Sequence, residues 1–186
     1  MKTSENTLAM IYLAAIRDQL RSIKILGDRT LSQLHEEQMH FAPNEESNSI
    51  AVIVKHLCGN MKSRWTDFLT TDGEKEGRDR DDEFVDSLYS KEEILRAWET
   101  GWDVVFAVID ALTPEHLTAT VFIRAEEHTV VQAIERQMAH YSNHVGQIIY
   151  LGKQTNNTSW TTLTIARGKS KEYVQQKLAE IQVRRS

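Results

Sequence analysis

Three histidines give this sequence its clearest chemical potential. His140 and His144 stand four residues apart in a segment whose apolar residues recur at helical spacing. That spacing puts both imidazoles on one helix face, within reach of a shared ion. At about 100° per residue, Ile134, Met138, Tyr141, Val145 and Ile148 form a core-facing stripe. The two histidines flank it together, beside Ala133, Gln137 and Leu151. His56 takes the corresponding flank of a second stripe made of Ile50, Ile53, Val54, Leu57, Met61 and Phe68. Three neutral ring nitrogens with a vacant fourth position form the donor set of an open site for Zn²⁺ or a neighbouring metal. The pattern equally fits histidines packed separately at helix margins, and spacing alone does not separate the two readings. Asn60, Gln137 and Gln147 lie one turn from these histidines. They are candidates to orient an imidazole or a bound water, and they also fit ordinary polar margins.

Other constellations carry less. His140-Tyr141-Ser142-Asn143-His144 has the histidine spacing of a zinc protease, but Tyr141 stands where its general-base Glu must sit. Gly168-Lys169-Ser170 matches the end of a phosphate-binding loop, but Leu163 replaces the first required glycine. Cys58, two residues from His56, points to another side of its helix and reads as a small buried filler. Asp67, Glu127 and Glu135 are the nearest carboxylates to a general base, and their pattern is that of surface charges. His35, His40, His116 and His128 fall near helix ends or in loops and read as surface histidines.

Four long amphipathic segments must position the three histidines. The first is expected from about Ser4 to Glu36, with Leu13, Ile16, Leu20, Ile23, Leu31 and Leu34 as its stripe. The second, about Ile50 to Leu69, is capped by Ser47 or Asn48. Thr71 to Glu83 is dense in both charges and reads first as a solvated loop, with a flap over one bundle end as the alternative. Ser90 and Glu93 form a capping box for the third helix, which carries Ile94, Trp98, Trp102, Val105, Ile109 and Leu112. Thr118 to Arg124 alternates and predicts an extended crossover. Thr129 and Gln132 make a second capping box, opening the fourth helix to about Lys153. Trp160 to Ile165 is expected to be extended, and a short helix from Ser170 to about Val183 to pack outside. The resulting fold class is all-α, a four-helix bundle with long crossover connections, read as a single domain over residues 1–186.

Composition supports this class. Eight glycines and two prolines in 186 residues are too few for the turns of an all-β chain. One cysteine excludes an internal disulfide and suits a reducing cytoplasm. No apolar run approaches the roughly 18 residues of a membrane span, and the first residues lack a signal-peptide pattern. A net charge of −5 gives no electrostatic support for a nucleic-acid partner. A cytoplasmic protein with a small-molecule substrate and no membrane partner is therefore expected.

His56-Leu57-Cys58-Gly59-Asn60, Ser63-Arg64-Trp65 and above all His140-Tyr141-Ser142-Asn143-His144-Val145-Gly146-Gln147-Ile148 resemble the DinB/YfiT-like superfamily. The likeness is to an uncharacterised bacterial branch. It extends to Asp72-Gly73-Glu74-Lys75 and to the tail around Trp160, Leu163 and Gly168, departing at Gly77 and Ala166. The resemblance implies that His56, His140 and His144 bind a divalent metal, zinc or nickel, in a homodimer. It also implies a metal-dependent thiol S-transferase that joins a low-molecular-weight thiol to an electrophile. A metal-dependent hydrolase and a non-catalytic ligand-binding or stress-related dimer are the alternatives.

Overall fold

The computed structural model describes the backbone of residues 2–185 and the side chains of residues 7–183. Its helices are α1 (Lys2–Leu31), α2 (Glu36–Met39), α3 (Ile50–Trp65), α4 (Lys91–Ala111), α5 (Val130–Asn156) and α6 (Ser170–Arg185). Side chains set several of these boundaries. Ser49 accepts from the Val52 amide at the start of α3, so the cap falls one or two residues later than expected. Ser90 with Glu93 opens α4, and Thr129 with Gln132 opens α5, both as reciprocal capping boxes.

The stripes read from the sequence are buried. Leu13, Ile16, Leu20, Ile23 and Leu31 on α1 join Ile50, Ile53, Val54, Leu57 and Met61 on α3. Ile94, Trp98, Trp102, Val105 and Ile109 on α4 meet Ile134, Tyr141, Val145 and Ile148 on α5 in the same core. α3 packs against α4 and α5, while α1 packs against the same two helices, closing an all-α four-helix bundle. At Gly101 a Cβ would crowd Met61 Sδ at 2.8 Å and the Cys58 backbone at 3.2 Å, so glycine permits the close α3–α4 approach. Inside the core, the Trp65 indole N–H donates to the Tyr141 hydroxyl at 2.7 Å, joining α3 to α5.

Four expected features differ. α1 stops at Leu31, and the chain turns before α2, where the Gln38 side chain accepts from the His35 amide. α3 stops at Trp65, because Thr66 is extended and Asp67 is left-handed at φ 50°. The segment expected to be extended is so over β1 (Thr120–Ile123), but it is half of a hairpin, pairing antiparallel with β2 (Glu126–Thr129). The tail also differs. Leu163 is buried, and Trp160 is extended as expected, but the chain bends over Leu163 to Ile165, and the described α6 side chains are exposed apart from half-buried Glu180.

The charged loop between α3 and α4 is only partly as expected. It lies against α3 through a 3-10 turn (Asp82–Phe84), with Glu83 buried and the Arg78 side chain only 4% exposed. Glu74, Arg78 and Glu83 turn inward because they find partners there. Ser63 Oγ donates to the Gly73 carbonyl at 2.6 Å, and the Gly73 amide donates to the Phe122 carbonyl at 2.8 Å. The segment is therefore part solvated and part packed: Glu76, Gly77 and Asp79 to Asp82 stay exposed, while Gly73 and Glu83 are buried and the Arg78 side chain nearly so.

Candidate metal centre

The bundle brings the three histidines to one place. His56 Nε2 lies 3.2 Å from His140 Nε2, which lies 3.1 Å from His144 Nε2. All three ligand atoms are within 4.8 Å of one another. Tetrahedral coordination at the usual zinc–nitrogen length spaces two ligand nitrogens by about 3.4 Å. The donor atoms are thus already near the separation that a shared ion requires.

Their outer nitrogens show which atoms face inward. His56 Nδ1 is 2.9 Å from Glu83 Oε2, and a carboxylate only accepts, so Nδ1 carries a proton and, in the neutral ring, Nε2 presents a lone pair. His144 Nδ1 is 2.9 Å from Gln147 Oε1, which fixes the same tautomer. At least two lone pairs therefore point into one small space beside His140 Nε2. A single ring proton cannot satisfy that arrangement, whereas a cation can.

Electrostatics disfavour the charged forms of His140 and His144. Burial, followed by His144, His56 and the nearby Arg64 and Arg78, pushes His140 down to about 3. Burial also lowers His144, overriding its hydrogen bond to Gln147. Burial alone would raise Glu83, but the bonds from His56 and Arg78 and the Arg78 charge hold it below the carboxylate range. Arg78 grips Glu83 through Nε at 2.7 Å and Nη2 at 2.9 Å, leaving both oxygens engaged.

Gly59 creates the room for that carboxylate. A Cβ there would overlap Glu83 Oε1 and Cδ, so the helix backbone itself is the floor under Glu83. Phe84, next along the turn, stacks on the His56 ring with centroids 4.8 Å apart.

The histidines open into a cavity of about 390 Å³, also lined by Asn60, Gln137, Phe84 and five arginines: Arg64, Arg78, Arg80, Arg124 and Arg136. Asn60 and Gln137 are buried, and their side-chain carbonyl oxygens lack a hydrogen-bond partner. Gln147 instead touches His144 directly. No carboxylate lines this cavity among the described residues. Asp67 faces a separate, larger space of about 820 Å³ that Cys58 also lines. Glu135 accepts from the Tyr12 hydroxyl, and Glu127 is exposed on β2. Burial raises the Cys58 thiol, which faces away from the histidines.

Sequence reasoning missed Glu83, Arg78 and the rest of the arginine lining. Glu83 lies 27 residues from His56 in a loop without periodicity. The one available signal was the unusual density of paired charges between Thr71 and Glu83.

A family model described as "Protein of unknown function (DUF1572)" matches residues 7–169, a span that includes all three histidines, Glu83 and the five arginines. No curated protein and no solved structure matches the chain.

Proposed function

We propose that this chain, which belongs to the DUF1572 family, is a metal-dependent enzyme that joins a small thiol to an electrophile. The convergence of the three Nε2 atoms supports this reading more than any other observation. The sequence resemblance to the DinB/YfiT-like superfamily agrees with it.

His56, His140 and His144 would hold one divalent ion, zinc or nickel. Bound there, the ion supplies Lewis acidity that stabilises a thiolate near neutral pH. The protein's own residues do the rest. Glu83 and Gln147 hold two imidazoles in the donating tautomer, while Arg78 keeps Glu83 ionised and in place. Phe84 covers one face of the His56 ring. The thiol proton passes to solvent, sulfur bonds to the electrophilic carbon, and the leaving group departs with its bonding pair.

Thiolate chemistry is favoured over hydrolysis because, among the described residues, no carboxylate lines the cavity to serve as a general base. The test is metal analysis of tag-free protein, followed by turnover of a model electrophile with and without a thiol. Metal at one equivalent and thiol-dependent turnover are expected. Bound metal without turnover would favour a non-catalytic ligand-binding role, and thiol-independent turnover would favour a hydrolase.

A further inference from the structure

Five guanidinium groups line the histidine cavity, an unusual concentration in a chain of net charge −5. Two carboxylates bond to them. Glu74 bridges Arg64 at 3.1 Å, Arg78 at 3.2 Å and Arg124 at 2.8 Å, and Glu83 takes the fork of Arg78. Among the described residues, Arg80 and Arg136 make no ion pair. Arg80 lies over the Phe84 ring, and Arg136 reaches only the His128 ring at 3.5 Å. The guanidinium groups of Arg80 and Arg136 therefore line the cavity without a paired carboxylate among the described residues.

These cations fall into two groups. The side chains of Arg64 and Arg78 are 5% and 4% exposed and hold the loop to α3. Arg80, Arg124 and Arg136 are exposed and need no burial to keep the fold. Arg124 is also held in an unusual backbone state. Arg124 and Ala125 form the hairpin turn at φ 57° and 61°, positions that favour Gly or Asn. Asp72 keeps them there: Oδ1 accepts from the Arg124 amide at 2.9 Å, and Oδ2 accepts from the Ala125 amide at 2.7 Å. The turn sets where the Arg124 side chain leaves the backbone, and Glu74 Oε2 holds its Nε at 2.8 Å.

We propose that this cavity takes a small-molecule oxyanion, a carboxylate or phosphate group, which Arg80, Arg124 and Arg136 hold while the remainder of the molecule faces the three histidines. Planar guanidinium forks match both anions bidentately. The cavity volume lies at the small end of the range for small-molecule sites, roughly 300–1,000 Å³. Buried Asn60 and Gln137 add unpartnered acceptors for hydroxyl or amide protons of the same molecule. The inference deepens the enzyme reading by naming the class of its substrate, and rests on that reading only for the position of the reacting end.

The test is calorimetric titration of inorganic phosphate and, separately, succinate into zinc-loaded and EDTA-stripped protein. Wild type should bind at least one anion in both states. The Arg80→Gln, Arg136→Gln double variant should bind it more weakly, by roughly ten- to a hundredfold for each charge-assisted hydrogen bond removed. An Arg21→Gln, Arg167→Gln variant has the same net charge, with both changes outside the cavity, and should bind as wild type does. Circular dichroism should be unchanged in both variants. The anion that binds tighter identifies the headgroup. If the protein takes up no zinc, the metal reading fails, and the stripped protein still decides the anion site. Loss of binding on stripping, equal affinity in the cavity variant, or equal weakening in the control variant would each overturn the proposal.

Discussion

Glu83 Oε2 sits 2.9 Å from His56 Nδ1, and this bond turns the lone pair of His56 Nε2 toward His140 and His144. A buried carboxylate behind a ligand imidazole sets its tautomer and raises its basicity. Replacing Glu83 with Gln should keep the fold and lower zinc affinity by roughly 10–100-fold. Competition with a chromogenic chelator would measure this, and unchanged affinity would remove Glu83 from the site.

Gly59→Ala should weaken metal binding without touching a ligand, because the added methyl must displace Glu83. Overpacking of this kind costs about 1–3 kcal/mol. The expected pattern is a lower urea midpoint together with weaker zinc affinity. A destabilised variant with wild-type affinity would show that Glu83 can move and still support His56.

Zinc should stabilise the wild-type protein against heat and leave His144→Ala unaffected. With zinc at a hundredfold excess over Kd, stabilisation of about 2.7 kcal/mol corresponds to a Tm rise of roughly 5–10 °C for this length. Scanning both proteins with zinc and with EDTA checks it. An equal rise in the variant would place the stabilising ion elsewhere.

Acid should destabilise the metal-free protein in a defined window. His140 is held down to about 3 by burial and its neighbours, and burial lowers His144 too, whereas unfolded histidines titrate near about 6.5. Between those values the unfolded chain binds more protons than the folded one. Stability is thus fully present above about pH 6.5 and is lost as pH falls toward about 3. Glu74, which Arg124 and Arg64 hold at about 2 against the opposing effect of burial, loses its contribution only below its ordinary value of 4.5. Urea midpoints between pH 6.5 and 4.5 should therefore fall in wild type and less steeply in His140→Gln. Identical slopes would show that His140 is not held neutral.

Tyr141→Phe leaves the buried Trp65 indole N–H without its 2.7 Å acceptor. An unsatisfied buried donor costs about 1–3 kcal/mol. Chemical denaturation should show that loss while zinc stoichiometry stays the same, because Tyr141 faces the core beside Trp102. Loss of zinc would mean that this bond also positions His140.

The sequence alone determined the bundle, because helical periodicity is local. The buried stripes of α1, α3, α4 and α5 were each legible as apolar residues at threes and fours, and Ser90 and Thr129 marked the starts of α4 and α5. It also supplied the three histidines, since His140 and His144 share a helix face and His56 flanks a matching stripe. Tertiary structure alone decided what surrounds them. Glu83, Arg78 and Arg124 lie on a loop and a hairpin turn, where no period links a residue to its partner. Charged residues read as solvated until their counter-charges are located. Here Glu74 and Glu83 gather arginines from α3, the loop and the hairpin, and that pairing turns the loop inward over the histidines.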